Sequence, residues 1–174
     1  MKKGGKWMIF QLEATRKELL TLIDTIPEHL FNKKESEQRW SIGQVLDHLH
    51  KTEIEITKVI KYILTLPEQE PLKDKPLALT LDRTRKITAP TTLSPSTSDL
   101  SKHKLLTSLS QSRKELIQVI ESIPPTVDLT RLGYKHPAFD ELSLIQWIEF
   151  IGYHEKRHLA QLDEIKASVA KESV

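Results

Sequence analysis

Hydrophobic residues recur every three or four positions in four segments of the chain, the spacing that places them on one face of a helix. In the first segment they run from about Trp7 to Ile26, and Pro27 follows. The second runs from Ser41 to Pro67, the third from Ser98 or Ser101 to Pro124, and the fourth from Ser143 to about Ala167. Because proline stops a helix, these boundaries predict four separate helices.

The second and fourth predicted helices begin with the same signal. In each, a serine is followed three residues later by a glutamine, which is a capping box, and two apolar residues flank them as a hydrophobic staple. The residues are Ser41, Gln44, Trp40 and Val45 in the second helix and Ser143, Gln146, Leu142 and Trp147 in the fourth.

A long connection rich in Pro, Thr and Ser, roughly Pro67 to Thr97, separates the second and third predicted helices. A functional loop and a crossover required by the topology explain its length equally well. No segment shows the alternation typical of a strand. We therefore predict an all-α fold, a four-helix bundle with a long crossover between helices 2 and 3. One domain is expected to cover residues 1–174, with residues 168–174 as a frayed tail.

Composition narrows the classes of function. The 26 basic and 24 acidic side chains nearly balance, with a formal charge of +2, so no nucleic-acid partner is expected. The basic residues 1–6 are not followed by an apolar segment, and no stretch is long enough to cross a membrane, which fits a cytoplasmic location. Cysteine is absent, so any metal ion must be bound by His, Asp or Glu.

Two histidines of the fourth predicted helix point to such an ion. His154 and His158 lie on the same apolar stripe as Trp147, Ile151 and Leu162. Side chains four residues apart on a helix are about 5–6 Å apart, so two imidazoles can reach one ion. Neutral imidazoles in a core also need polar partners, which one ion would provide for both. We therefore favour metal binding over hydrogen-bonded core histidines.

A catalytic metal site needs a third protein ligand. Helix periodicity favours His48 over its neighbour His50 only slightly. The other candidates lie in or near connections, where a solvated histidine is the ordinary case: His29, His103 and His136. Three histidines and no thiolate would leave coordination positions open, as in a catalytic site.

The same two histidines belong to an H-E-x-x-H sequence, in which Glu155 would be the general base of a metalloprotease. Only sixteen residues follow His158, too few for the usual downstream ligand. No strand is predicted that could hold an extended peptide. A protease is therefore kept as a minor alternative.

Two longer motifs resemble those of the DinB/YfiT-like superfamily. Residues 40–49 read W-S-I-G-Q-V-L-D-H-L, similar to the family's W-S-x-x-x-V-L-x-H-L. Residues 136–161 are similar to its H-P-x-F-G…W…H-x-x-R-H-x-x-Q, and residues 90–95 fit its P-x-x-L-x-P pattern. Asp140 stands where the family usually has Gly, a change that concerns the loop turn and no ligand.

The resemblance implies a four-helix bundle in which one histidine of the second helix and two of the last bind a divalent metal ion, usually zinc or nickel. In this chain they correspond to His48, His154 and His158. Characterised relatives are thiol-dependent transferases or isomerases that use mycothiol, bacillithiol or other low-molecular-weight thiols. Many other members are described as metal-dependent hydrolases.

Two hypotheses follow. In the first, the protein is an enzyme whose ion activates a low-molecular-weight thiol or a water toward a small-molecule substrate. Arg157, Glu53 and His136 are then candidates for supporting the ligands or orienting the substrate, although a solvated or paired charge is ordinary for the first two. In the second, the protein is a non-catalytic interaction or stress-response bundle with a vestigial metal site. A homodimer fits either hypothesis.

Overall fold

The computed structural model describes residues 4–84 and 90–171, which form a bundle of long helices. The long helices are α1 Gly4–Asp24, α3 Ile42–Ile63, α4 Lys102–Glu121 and α5 Leu144–Lys171, and a short helix, α2 Glu28–Phe31, follows α1. The predicted four-helix bundle is confirmed, with its long crossover between α3 and α4. None of the described helices combines the length and apolar character needed to cross a membrane.

The last helix is longer than the sequence predicted. Helix α5 continues past Ala167 to Lys171, and Val169 in this last turn is fully buried. Residues 172–174 of the predicted tail lie outside the described residues. The assignment of the whole chain to one domain stays a prediction.

Two clusters of buried apolar side chains hold the bundle together. The first takes side chains from every long helix, among them Leu12, Ile60, Leu116 and Ile151. The second does the same, with Leu19, Leu46, Leu109 and Leu162. Fully burying one such side chain stabilises the fold by about 1.5–3 kcal/mol. Packing of the apolar stripes therefore stabilises helices that would be marginal alone.

Helix α3 begins at the capping box predicted from the sequence. The Ser41 hydroxyl accepts a hydrogen bond from the Gln44 backbone N–H at 3.2 Å, and the Gln44 side chain accepts one from the Ser41 N–H at 3.1 Å. Both bonds satisfy N–H groups that have no partner within the helix. The predicted start of the helix that carries His48 is confirmed.

A small hairpin precedes α5, so the prediction of a chain without strands was wrong. Strand β1 Gly133–His136 pairs antiparallel with β2 Asp140–Ser143. A Cβ at Gly133 would lie 2.7 Å from the backbone oxygen of Leu142 on β2, so this close approach of the two strands requires glycine. Four-residue strands carry too few positions for alternation to be visible in the sequence.

The second predicted capping box, Ser143 with Gln146, is not formed, so that prediction was also wrong. Ser143 is the last residue of β2, and its hydroxyl has no hydrogen-bond partner in the described part of the chain. The Gln146 amide donates to the Lys75 carbonyl instead. The first two N–H groups of α5 donate to the backbone carbonyls of residues 132 and 129. Because carbonyls of the segment before β1 satisfy these two donors, they need no side-chain cap.

The crossover contains two short 3₁₀ turns and is held against the helices that it passes. The turn Leu77–Leu81 packs on α5, and the turn Thr91–Leu93 packs on α3. After the second turn, Lys51 donates to the Ser94 carbonyl at 2.9 Å, and Asp47 accepts from the Ser96 N–H at 2.8 Å. The crossover therefore lies directly over the helix that carries His48, while residues 85–89 are outside the described residues.

Candidate metal centre

Three histidines from two helices converge at one point of the bundle. His48 lies on α3, and His154 and His158 lie one turn apart on α5. The Nε2 atom of His154 is 3.3 Å from that of His48 and 3.2 Å from that of His158. The ligand atoms of all three lie within 4.8 Å of one another. His50, which periodicity left almost equally favourable, is not a member of this cluster.

Hydrogen bonds at the opposite ring nitrogens determine the tautomers of two of these histidines. The Nδ1–H of His48 donates to the Leu93 carbonyl at 2.8 Å, and that of His158 donates to the Gln161 side-chain oxygen at 2.7 Å. A carbonyl oxygen can only accept, so Nδ1 carries the proton and Nε2 presents its lone pair to the cluster. Histidines that bind metals are usually oriented in this way.

Burial lowers the pKa of all three imidazoles. The pKa of His48 lies below its ordinary value, that of His158 is lowered to about 3, and that of His154 lies well below its usual range. The rings also disfavour one another's positive charge, which lowers the pKa of His154 and His158 further. At neutral pH the cluster therefore presents neutral imidazoles, the form that binds a metal ion.

The donor set fits a divalent transition-metal ion. Two nitrogen ligands of a tetrahedral zinc ion, each at about 2.05 Å, are about 3.3 Å apart. The two measured Nε2 separations, 3.3 and 3.2 Å, are close to this spacing. Three imidazoles without a thiolate suit zinc, nickel, cobalt or iron.

Aromatic rings surround the cluster, and its three members differ in exposure. His48 and His158 are only 4% and 7% exposed, whereas His154 is partly exposed. The Trp40 ring packs on His48 with 5.1 Å between ring centroids, and the Phe150 ring packs on His154 at 5.7 Å. These rings restrict the imidazoles to their present orientations.

A groove of about 120 Å³ lies beside the cluster. Its walls include Trp40, which packs on His48, and Gln161, which accepts the hydrogen bond from His158. Arg39 and Arg83 also line it, each paired with a glutamate on the same wall. The groove therefore offers a small polar ligand both signs of charge, and Trp40 and Gln161 connect its wall to His48 and His158.

His136 lies outside the three-histidine cluster and is buried rather than solvated. Its ring packs against Phe139, Trp147 and Phe150 with centroid separations of 5.3, 4.8 and 4.5 Å. This burial lowers its pKa to about 4. The Ala138 N–H donates to its Nδ1 at 3.1 Å, so the neutral ring carries its proton on Nε2. The other two histidines near connections, His29 and His103, are exposed as expected.

Arg157 fastens the crossover to the helix that carries two of the histidines. Its guanidinium donates to the Thr80 carbonyl at 2.9 Å and to the Asp82 carbonyl. The 3₁₀ turn Leu77–Leu81 and the residues after it are thereby held against α5. That Arg157 orients a substrate stays a prediction.

Glu53 belongs to a buried ring of four charged residues, one from each long helix. We call the ring of Arg16, Glu53, Arg113 and Glu155 the charged tetrad. Arg16 donates to Glu53 at 3.1 Å and to Glu155 at 2.5 Å, and Arg113 donates to the same two carboxylates at 2.7 and 2.8 Å. All four side chains are at most 7% exposed. Burial raises the pKa of Glu53, but the two guanidinium groups outweigh it and lower the pKa overall.

The charged tetrad also bears on the protease alternative. Both carboxylate oxygens of Glu155 accept hydrogen bonds from arginines, Oε1 from Arg16 and Oε2 from Arg113. A general base must present a carboxylate to the nucleophile at the metal. Because two guanidinium groups bind Glu155, its geometry does not match the H-E-x-x-H role.

Comparisons with known proteins agree with this architecture. The family model described as DinB superfamily matches residues 11–162. The uncharacterized protein YuaE of Bacillus subtilis (strain 168) is 36% identical over 146 residues, which cover 84% of this chain and 89% of YuaE.

Two solved structures share the fold at low sequence identity. YfiT from Bacillus subtilis, described as a probable metal-dependent hydrolase with an unusual four-helix bundle topology, superposes with a TM-score of 0.66 at 15% identity, covering 96% of this chain and 88% of YfiT. The four-helix bundle protein TT2238 gives a TM-score of 0.63 at 21% identity, with 92% and 98% covered. With the family model matching most of its length, the chain belongs to the DinB superfamily.

Proposed function

We propose that this protein is a metal-dependent enzyme that acts on a small-molecule substrate, with His48, His154 and His158 as the ligands of one divalent ion. The observation that carries the proposal is the convergence of three Nε2 atoms, two of which have a fixed lone pair directed at the cluster. Zinc and nickel are the ions that we expect.

The chemistry that such an ion supplies is the activation of a nucleophile: it lowers the pKa of a bound water or thiol, so that the reactive anion exists at neutral pH. The protein's own residues would bind and orient. Gln161 and the Leu93 carbonyl orient two ligands, and the groove with Arg39 and Arg83 is where a substrate would bind.

The reaction proposed is hydrolysis, or transfer involving a low-molecular-weight thiol. The relative YfiT is described as a probable metal-dependent hydrolase, which supports the first. His136 would present its Nε2–H as a neutral hydrogen-bond donor near the cluster, since its Nδ1 accepts from Ala138. Glu53 would act only through the charged tetrad, and Arg157 through the crossover.

A cytoplasmic location and a homodimer are also part of the proposal and rest on the sequence alone.

The first experiment is elemental mass spectrometry on untagged protein, because a polyhistidine tag would itself bind metal. We expect close to one zinc or nickel ion per chain in the wild type. His48→Ala, His154→Ala and His158→Ala should each lose most of it, since two imidazoles bind an ion far more weakly than three. Hydrolysis and thiol-transfer assays on the loaded protein would follow.

His50→Ala is the matched control, because His50 lies on the same helix as His48 but outside the cluster. It should retain the metal content of the wild type. A wild-type protein that is purified without metal and fails to take up added zinc or nickel would overturn the proposal. The non-catalytic bundle would then be the better hypothesis.

A further inference from the structure

His154 differs from the other two histidines of the cluster in the surroundings of its second ring nitrogen. Nδ1 of His48 and Nδ1 of His158 each have a carbonyl oxygen as partner. The hydrogen bonds of His154 in the described part of the chain involve only Nε2, which faces the other two rings. A metal-binding histidine nearly always donates its second N–H to a carboxylate, a carbonyl or a water. The Nδ1–H of a metal-bound His154 therefore requires an acceptor of its own.

A small cavity next to His154 separates the cluster from the charged tetrad. It measures about 10 Å³ and is lined by His154, by Thr52 and by all four members of the charged tetrad. A cavity needs about 10–15 Å³ of such volume to hold one water molecule. Three apolar side chains, Leu49, Ile56 and Ile151, complete the lining, but the polar groups among them distinguish the cavity from wholly apolar voids, which stay dry.

Two polar groups of this lining can still form hydrogen bonds. Thr52 is 6% exposed, and its hydroxyl has no partner within residues 4–84 and 90–171. Each oxygen of Glu155 accepts one hydrogen bond, although a carboxylate oxygen can accept two. A buried hydroxyl without a partner destabilises the folded state, so a nearby water would be stabilising.

We propose that this cavity binds one water molecule, which donates to Glu155 and hydrogen-bonds to the hydroxyl of Thr52 and to His154 Nδ1. It donates to Nδ1 in the metal-free protein, where Nε2 carries the proton, and accepts from Nδ1–H when a metal ion binds Nε2. Three partners are the usual number for a buried water. Thr52 is then a positioning residue: it holds the water that orients a ligand of the metal centre. The charged tetrad, which joins all four long helices, is connected to the ligand through the same molecule.

The water site does not depend on a metal ion, whereas its effect on metal binding rests on the proposed function. The two parts can therefore be tested separately. The first test uses the metal-free protein and compares the wild type with Thr52→Val, which has the same shape but no hydroxyl, and Thr52→Ser, which keeps it. Ser143→Ala is the control, because Ser143 has a buried hydroxyl without a partner in the described residues but lies away from the cavity.

If the water is bound, Thr52→Val removes one of its partners, and the melting temperature should fall by about 2–4 °C for a chain of this size. Thr52→Ser should stay near the wild type, and Ser143→Ala should show no decrease. An unchanged or higher melting temperature for Thr52→Val would mean that the hydroxyl had no partner to lose, and would overturn the water site. A crystal structure of the wild type should also show ordered water density between Thr52 and His154, and a dry cavity there would overturn it too.

The second test measures zinc and nickel affinity by competition with a chelator. Loss of a hydrogen bond that orients a ligand typically weakens metal binding about 10–100-fold, so we expect this range for Thr52→Val and wild-type affinity for Thr52→Ser. If the wild type binds metal and Thr52→Val binds it equally well, the positioning role is wrong. If the wild type binds no metal, the proposed function fails, and the melting temperatures still decide whether the water site exists.

Discussion

At the scale of single residues, the candidate metal centre depends on which nitrogen of each histidine carries the proton. Gln161 lies three residues beyond His158 on α5, where its side chain can reach back to Nδ1. The Leu93 carbonyl plays the same part for His48 from the crossover. Neither contact involves a charged group, yet each determines that Nε2 is free.

Replacing Gln161 tests this role. Gln161→Leu removes the acceptor of His158 Nδ1–H, and we expect zinc affinity to fall about 10–100-fold while the fold is retained. Gln161→Glu keeps an oxygen acceptor at the same position and should bind zinc at least as tightly as the wild type. Chelator competition measures both affinities, and circular dichroism checks the helix content. Equal affinity for Leu and Glu at this position would show that the hydrogen bond does not orient the ligand.

Asp140 departs from the family pattern at the turn of the hairpin. The resemblance to the family placed Gly at this position. In the structure Asp140 has a φ of 66°, in the left-handed region that glycine occupies without strain. Aspartate is among the few other residues that adopt this conformation readily. Asp140 can therefore occupy a turn position that suits glycine.

At the scale of helices and strands, the charged tetrad determines how the four long helices are aligned. Each helix contributes one charge, and each arginine bridges both glutamates, so a shift of any helix by one turn would break hydrogen bonds to two others. Further donors add to this: Ser112 donates to Glu53 at 2.5 Å, and the arginines also donate to the backbone carbonyls of residues 109 and 12. Nearly every polar atom of the charged tetrad has a hydrogen-bond partner, which offsets the cost of burying four charges.

Removing one member of the charged tetrad should therefore be far more costly than removing a surface charge on the same helix. Glu53→Ala leaves two buried guanidinium groups with one carboxylate, and we expect it to destabilise the protein by about 3–5 kcal/mol. Urea denaturation measures the change in the free energy of unfolding.

Glu55→Ala is the matched control for this prediction. Glu55 lies two residues from Glu53 and pairs with Lys58 at 2.6 Å, with 48% and 64% of the two side chains exposed. An exposed ion pair contributes about 0–1 kcal/mol, so this variant should be close to the wild type. Similar losses for the two variants would contradict a special contribution of the charged tetrad.

At the scale of the whole molecule, the buried histidines should make the metal-free protein sensitive to mild acid. The pKa of His136 is lowered to about 4 in the folded protein and that of His158 to about 3, from 6.5 when solvated. At a pH between the folded and the unfolded pKa of a histidine, the unfolded chain binds a proton there and the folded protein does not. Stability is therefore greatest above pH 6.5 and decreases as the pH falls toward 4.

The contribution of one histidine can be isolated. We expect His136→Gln to lose less stability than the wild type between about pH 7 and pH 5, a range above the titration of ordinary carboxylates. Urea midpoints across this range in metal-free buffer measure the slope. His103→Gln is the control, because it removes an exposed histidine instead of a buried one. If His136→Gln shows the wild-type slope, burial of His136 does not contribute to the acid sensitivity.

The sequence hints at the charged tetrad but does not specify its pairing. Arg16 and Arg113 each have leucines four residues before and three after, so both arginines sit on apolar stripes. Glu53 lies between Leu49 and Ile56 in the same way. This pattern indicates a buried charge, but its partners lie on other helices, tens of residues away. Which charges meet depends on how the helices pack.

Features that depend on residues close together in the chain could be predicted from the amino-acid sequence. The four helices and the shared face of His154 and His158 follow from the helical repeat, and the Ser41 cap follows from a serine and a glutamine three residues apart. Motif resemblance, rather than periodicity, selected His48 over His50.

Features that join distant segments of the chain depend on how the helices pack and could not be predicted from the sequence. The hairpin forms because its short strands pack against α5 and the crossover, and α5 begins without a side-chain cap because distant carbonyls satisfy its first N–H groups. The Leu93 contact to His48, the small cavity beside His154 and the charged tetrad likewise exist only once the helices have packed. The physical reason is that a buried polar group must find its partner in space, and the chain order does not specify which partner will be near.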